Sequence, residues 1–216
     1  MNALKEVESR LKKLSKENKP GRWVAEDYIG AGQSDYLFLN LKVPFVRQAQ
    51  KEGYTFSELP VTEQWKIWDK IWMETSYFEV ALSAAHFANA RPSEELFKHR
   101  KSLLRWQKRI DNWALSDELS HIYSKLLEYR PKEFLPKFER WNNSKDPWER
   151  RQSMVGLLFY SRFRDRVLPC SVILKFVKPH LGDSHYYVQK AVGWTLRECW
   201  NVYPTQTLAF LEKHAR

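Results

Sequence analysis

Trp113 and Asp117 lie four residues apart in a stretch that is expected to be helical. Residues at this spacing project from the same face of a helix, so the indole ring and the carboxylate should border the same space. A second tryptophan, Trp194, lies in a later segment, residues 187–198. A fixed carboxylate stabilises positive charge that develops beside it, and an aromatic face attracts a cation. The combination therefore predicts a site.

A weak internal repeat makes Asp117 unusual. An aromatic residue opens each repeat, at a spacing of about 35 to 39 residues that is typical of two-helix repeats: Tyr77, Trp113, Trp148 and Tyr187. Four residues after these anchors come Ala81, Asp117, Gln152 and Ala191. This position normally packs against neighbouring helices, so a carboxylate there costs stability unless it is paired or solvated. Departures of this kind concentrate at functional sites.

Length and charge limit the possible partners. The 216 residues predict one domain, residues 1–216. Lys and Arg number 36 against 26 Asp and Glu, a formal charge of +10 that favours a polyanionic partner, nucleic acid first and an anionic membrane second. The excess is clustered, with seven basic and two acidic residues at 91–109 and seven and three at 140–166. A solvated positive surface is the alternative.

Cysteine and histidine usage argues against metal and disulfide chemistry. Cys170 and Cys199 form neither a Cys-x-x-Cys pair nor a disulfide framework, which favours a reducing cytoplasm. His121 lies four residues beyond Asp117, but the six histidines are scattered and no metal motif surrounds it. No apolar run has the length of a signal peptide core or a membrane span. We therefore predict a cytoplasmic protein without metal or cofactor.

The elements that must position these residues are predicted to be helices. Four prolines stand beside acidic or capping residues and read as helix starts: Pro92, Pro131, Pro147 and Pro204. Each is followed by apolar residues at helical spacing, and strand-like alternation is nearly absent. We expect about ten to twelve helices with a loop near residues 30–34. Trp65, Trp68, Trp72 and Trp106 are assigned to packing between helices.

Three segments together resemble the AlkD type of bacterial DNA alkylation repair proteins. They are Trp113-x-x-x-Asp117, Trp148-x-x-Arg151 and the run around Trp194 from Gln189 to Glu198. Members of this family are alkylpurine DNA glycosylases built from HEAT-like helical repeats. The resemblance covers roughly residues 28–203 and implies an all-α, HEAT-like repeat solenoid with a concave basic face that binds DNA.

The same resemblance implies roles for individual residues. Trp113 and Trp194 would be the aromatic walls of a cleft, Asp117 its catalytic carboxylate and Tyr28 an aromatic residue at its mouth. The residues expected to contact DNA phosphates are Arg150, Arg151, Lys190 and Arg197. Such contacts position DNA without reading its sequence, so the specificity would be for damage.

The implied reaction needs only these groups. A purine alkylated at N3 or N7 carries positive charge and leaves without protonation, so duplex DNA containing such bases would be the substrate. Asp117 would stabilise the oxocarbenium-like sugar and help to position water. Trp113 and Trp194 would favour the cationic nucleotide by about 1 to 2 kcal/mol each. We predict a monomeric, monofunctional glycosylase, and we disfavour Lys190 as a Schiff-base nucleophile because its place in the repeat matches that of Arg151.

One departure from the family leaves an alternative open. The family usually has Asp directly after the first tryptophan, and here that residue is Ala114. If the missing carboxylate orients Asp117, the protein would bind damaged or unusual DNA without cleaving it. A HEAT-like scaffold for a protein partner is a third possibility. Simpler readings make the two tryptophans core residues, Asp117 a solvated surface acid or a partner for a nearby Arg, and Arg151 and Lys190 plain surface charges.

Overall fold

The computed structural model describes residues 2–19, 21–30 and 34–214. Within them the chain forms α-helices and short helical turns, and the only β contact is an isolated bridge between Leu37 and Tyr77. The prediction of an all-α fold is therefore confirmed. Of the loop predicted near residues 30–34, residues 31–33 lie outside the described residues. None of the described helices is both long and apolar enough to cross a membrane.

The chain divides into two compact units, Met1–Glu118 and Leu119–Arg216. The boundary falls within one helix, α7, after Glu118. The single domain expected for residues 1–216 remains a prediction.

The first unit is built around helices that bury tryptophans. Its helices are α1 Ala3–Glu17, α2 Val43–Glu52, α3 Val61–Glu74, α4 Phe78–Asn89, α5 Ser93–Lys98, α6 Arg100–Trp106 and the start of α7, Trp113–Tyr129. Short turns form at Glu26–Gly30, Thr55–Glu58 and Gln107–Arg109. Helix α4 packs against α1, α2 and α3. At most 1% of Trp65, Trp68, Trp72 and Trp106 is exposed, so these four tryptophans are packing residues, as predicted.

The second unit is arranged around α9 and α11. Its helices after α7 are α8 Pro131–Asn142, α9 Pro147–Leu158, α10 Cys170–Val177, α11 Tyr186–Val202 and α12 Pro204–His214. Turns form at Ser161–Phe163 and Lys178–His180. Helix α9 packs against α8, α10 and α11, and α12 packs against α11. The apolar core between α9 and α11 includes Met154, Val188 and Val192.

Local chemistry sets where the helices begin. Helices α5, α8, α9 and α12 start at or next to the prolines that were predicted to begin them. Asp146 caps α9, since its side-chain oxygen accepts a hydrogen bond from the Trp148 amide at 2.8 Å. Asn112 does the same for α7, where its Oδ1 accepts from the Leu115 amide at 3.0 Å. This cap makes Trp113 the first residue of α7.

The repeat read from the sequence appears at the starts of four helices. Tyr77 immediately precedes α4, Trp113 begins α7, and Trp148 and Tyr187 are the second residues of α9 and α11. Four residues further on, Ala81, Gln152 and Ala191 are completely buried. Asp117 occupies the same position in α7 but is only partly buried. The carboxylate thus departs from the repeat in both residue type and exposure.

Candidate functional site

In the first unit, the candidate residues lie at the beginning of α7. Trp113 and Asp117 are one helical turn apart on the same face, and both are half-buried. The four packing tryptophans of this unit are fully buried, so Trp113 differs from them in exposure. A half-buried indole beside a half-buried carboxylate can contact a bound molecule while remaining anchored to the helix.

Trp113 is held by Tyr28, the residue expected at the cleft mouth. The indole N–H of Trp113 donates a hydrogen bond to the backbone carbonyl of Tyr28 at 3.2 Å. The two rings meet edge to face, with centroids 5.5 Å apart and an angle of 87° between their planes. The Tyr28 side chain itself is 63% exposed. The structure therefore brings these two predicted residues together and fixes the direction of the Trp113 ring.

Asp111 anchors a segment of chain next to this site. Its carboxylate accepts hydrogen bonds from the Ser34 hydroxyl at 3.0 Å and from the Asp35 amide at 2.6 Å. The side-chain amide of Asn112 donates to the same carboxylate at 2.9 Å. No role for Asp111 was predicted from the sequence. Its position directly before the cap residue of α7 was the available signal.

A buried carboxylate holds the next part of the same segment. Glu79 is 1% exposed and accepts hydrogen bonds from the amides of Leu39 at 2.9 Å and Leu41 at 3.2 Å. Burial raises the pKa of Glu79, although these backbone donors act in the opposite direction. Asn40, between them, has a positive φ of 56° and accepts from the Ala25 amide at 2.7 Å. Residues 34–41 are thus tied to the body of the first unit by two acidic side chains, Asp111 and Glu79.

In the second unit, Trp194 lies among other aromatic rings. It is half-buried on α11 and stacks on Phe159, with centroids 6.0 Å apart and a plane angle of 27°. Tyr160 meets the same ring nearly edge-on at 5.7 Å and 79°. The Arg197 guanidinium lies 5.8 Å from the Trp194 centroid. Trp194 is therefore positioned by ring packing and has a cation beside it.

Two of the predicted phosphate contacts, Lys190 and Arg197, point to solvent. Lys190 is exposed, and its ammonium lies 5.2 Å from the centroid of the Tyr186 ring. The Arg197 side chain is 61% exposed and lies 3.6 Å from the Glu198 carboxylate. Both side chains lie on α11, Lys190 four residues before Trp194 and Arg197 three residues after it, which is about one helical turn in either direction. Their exposure fits a contact with a phosphate backbone.

The other two predicted contacts are engaged within the protein. Arg150 donates from Nε and Nη2 to the Asp183 carboxylate, at 2.7 and 3.2 Å, and from Nη1 to the carbonyls of Ser144 and Lys145. Burial acts to raise the pKa of Asp183, but the Arg150 hydrogen bond and other favourable contacts hold that pKa below its usual value. Arg150 thus links the start of α9 to the loop that precedes α11.

Arg151 is buried and only 5% exposed. Its Nη1 donates to the backbone carbonyl of Tyr187 at 3.0 Å, which ties α9 to the start of α11. Phosphate contact by Arg150 and Arg151 remains a prediction. The observed geometry gives both arginines a positioning role inside the second unit.

Metal ligation finds no support among the described residues. His121, the residue considered as a ligand beside Asp117, stacks on Phe159 with centroids 5.2 Å apart. No group of three or more His, Cys, Asp or Glu side chains in the described part of the chain could hold a metal ion.

One comparison with known proteins shows the family of this chain. The sequence matches the family described as DNA alkylation repair enzyme over residues 8–216. Among solved structures, the chain is similar to a predicted DNA alkylation repair enzyme from Enterococcus faecalis, with a TM-score of 0.62 and 16% identity. The alignment covers 84% of this chain and 83% of that one, and at this identity it shows the fold alone. A search of curated proteins gave no match.

Proposed function

The chain belongs to the DNA alkylation repair enzyme family, and on this basis we propose that it is a monofunctional DNA glycosylase that excises cationic N3- or N7-alkylated purines from duplex DNA. One observation carries the proposal. At the start of α7, Asp117 replaces the buried small or amide side chain of the other repeats and stays half-buried beside Trp113. A partly desolvated carboxylate next to an aromatic face is suited to a cationic substrate.

Asp117 would act on the sugar rather than on the base. An N3- or N7-alkylated purine already carries positive charge, so it leaves without a general acid. As the glycosidic bond breaks, positive charge moves to the deoxyribose, and a fixed carboxylate stabilises that charge. We propose that Asp117 does this and orients the attacking water.

The tryptophans would select the charged nucleotide. The hydrogen bond from Trp113 to the Tyr28 carbonyl keeps its ring in one orientation, which lowers the entropy lost when a nucleotide binds. Trp194 offers a second aromatic face, supported by Phe159. The sequence resemblance assigns both rings to the bound cationic nucleotide, and we retain that assignment in the proposal.

Binding to DNA would depend on charge. Lys190 and Arg197 are exposed cations on α11, and the chain carries a formal charge of +10. Contacts of this kind neutralise phosphates in any sequence and weaken as salt increases. We infer a monomer that needs no cofactor. The free thiols of Cys170 and Cys199 are compatible with a reducing cytoplasm.

Ala114 supports a second candidate function. It is the second residue of α7, where the family usually has Asp, and the nearby Asp111 carboxylate is engaged by Ser34 and Asp35. If a carboxylate at position 114 is needed to orient Asp117, the protein binds damaged or unusual DNA without cleaving it.

The deciding experiment measures purine release from duplex DNA that contains a single N7-methylguanine, under single-turnover conditions. We expect release by the wild type and a rate about 10² to 10³ lower for Asp117→Asn, with little change in duplex affinity. Glu118→Gln is the matched control. It changes the next acid on α7, whose carboxylate accepts from Asn89 Nδ2 at 2.6 Å, and it should retain release.

The outcomes separate the three functions. Wild-type release that survives in Asp117→Asn would contradict the role of Asp117. No release by the wild type, together with tight and salt-sensitive duplex binding, would favour the silent binder. Duplex binding that is absent or insensitive to salt would favour a protein scaffold.

A further inference from the structure

The turn after α9 holds a tyrosine in a strained backbone conformation. Tyr160 has φ 51° and ψ 86°, in the left-handed region that bulky residues rarely adopt. The turn is fixed by a carboxylate from α11: the amide and hydroxyl of Ser161 both donate to Oε2 of Glu198 at 2.9 Å. Glu198 is only 5% exposed. Strain that the surrounding structure maintains in this way is a pointer to a binding site.

The turn presents aromatic rings and an arginine to solvent. Tyr160 is 37% exposed and Phe163 is 55% exposed, although both are large hydrophobic side chains. The Arg162 guanidinium lies 5.3 Å from the Tyr160 centroid and 4.8 Å from the Phe163 centroid. The planes of the two rings are inclined at 64°, with centroids 5.9 Å apart, so the rings face different directions.

A cleft of about 470 Å³ adjoins this turn. Its size falls within the range of about 300 to 1,000 Å³ that is usual for small-molecule sites. Its lining includes Tyr160, Arg162, Arg197 and Asn201. It also includes Glu198, whose carboxylate is occupied by Ser161. The cleft therefore combines an aromatic wall, two cations, and an amide that can both donate and accept.

We propose that this cleft binds one unpaired nucleotide of a DNA strand. The base stacks on Tyr160 in the cleft or on the exposed Phe163 ring of the adjoining turn, the phosphates meet Arg162 and Arg197, and Asn201 pairs with the edge of the base. A base that is stacked and paired in the double helix has no free face for a protein ring to contact. Exposed rings beside cations therefore suit a nucleotide that has left the DNA double helix. The proposal rests on the proposed function only in taking DNA as the partner. It adds a site that recognises distortion of a DNA strand, and Asp117 takes no part in this recognition.

The test compares two labelled probes by fluorescence anisotropy. One is a short duplex that carries a single unpaired thymidine, and the other is the same duplex fully paired. We expect the wild type to bind the first about tenfold more tightly. Phe163→Ala and Tyr160→Gly should each reduce this preference several-fold without weakening the binding of the paired duplex. Glycine is used at position 160 because it adopts a positive φ without strain, so the turn is retained.

Trp200→Ala is the matched control. Trp200 is an aromatic residue on α11 that is 42% exposed and belongs neither to the cleft lining nor to the turn after α9, so its removal should leave the preference unchanged. Equal wild-type affinity for the two probes, with salt-sensitive binding to both, would overturn this site and leave the proposed glycosylase intact. A preference that Phe163→Ala and Tyr160→Gly reduce, in a protein that releases no N7-methylguanine, would support the site and overturn the glycosylase. An equal loss in Trp200→Ala would overturn the assignment to this cleft.

Discussion

Trp113 in the first unit and Trp194 in the second are both half-buried, but they are held by different forces. The indole N–H of Trp113 donates to a backbone carbonyl, that of Tyr28, which sets a direction for the ring. Trp194 lies between Phe159 and Tyr160, where ring packing constrains its plane less strictly. Trp113 has a carboxylate as its neighbour one turn along the helix, whereas Trp194 has Arg197. From this difference we propose that the first unit supplies chemistry and the second supplies affinity.

The packing tryptophans show what a structural indole looks like in the same chain. Trp72 and Trp106 stack with centroids 4.6 Å apart and are fully buried. Their N–H groups donate to the Trp106 carbonyl at 3.2 Å and to Asp69 at 2.7 Å. The N–H group of Trp113 is also hydrogen-bonded, but Trp113 is only half-buried, whereas Trp72 and Trp106 are fully buried. Exposure, more than hydrogen bonding, separates the candidate site from the core.

The largest expected change in stability concerns Arg151, the buried arginine of the second unit. Arg151→Ala should lower the free energy of unfolding by about 2 to 3 kcal/mol, because it removes a buried donor from the Tyr187 carbonyl and leaves space behind. Lys190→Ala, an exposed cation, should change it by less than about 0.5 kcal/mol. Urea denaturation measures both. A stable Arg151→Ala protein with weakened, less salt-sensitive duplex binding would instead make Arg151 a phosphate contact.

The next prediction tests the two tryptophans against each other. Trp113→Ala should reduce the single-turnover release of N7-methylguanine about tenfold, with little change in affinity for undamaged duplex. Trp194→Ala should reduce the affinity for damaged duplex by a similar factor. Trp113→Phe keeps a ring but loses the hydrogen bond to Tyr28 and should give an intermediate rate. Identical losses of rate and affinity in the two alanine variants would remove the distinction between the units.

Local features of this molecule were predictable from the sequence. The helix starts follow from side chains that act within a few residues, such as Asp146 on the Trp148 amide. The shared face of Trp113 and Asp117 follows from helix geometry alone. Burial of the packing tryptophans follows from their spacing and apolar area. These features need no knowledge of which distant segments meet.

Long-range pairings were not predictable. Asp111 binds Ser34 across 77 positions, and Glu79 binds the Leu39 amide across 40. Arg150 donates to Asp183, 33 residues away, a pairing that no local pattern reveals, and its contact with phosphate stays a prediction. A single sequence shows the charges of a region but not which of them the fold neutralises.

A smaller effect is expected from the exposed cations of α11. Lys190→Ala and Arg197→Ala should each weaken binding to damaged and to undamaged duplex by about 1 kcal/mol. Each should also reduce the slope of log affinity against log salt concentration by about 1. The rate of release at saturating protein should stay the same, since neither residue takes part in the reaction. Titrations at several salt concentrations measure the slope. A loss confined to damaged duplex would move these residues from backbone binding to lesion recognition.

The smallest expected effect comes from Ala114, where the first unit departs from its family. As the second residue of α7, an acid at this position interacts favourably with the positive end of the helix dipole, so Ala114→Asp should stabilise the protein by about 0.5 kcal/mol, or 1 to 2 °C in Tm. Ala114→Asn has the same size without the charge and should gain less. An equal gain in both variants would contradict the dipole account. Faster N7-methylguanine release by Ala114→Asp than by Ala114→Asn would show that a carboxylate here assists Asp117, and equal rates would assign the family's Asp to helix stability alone.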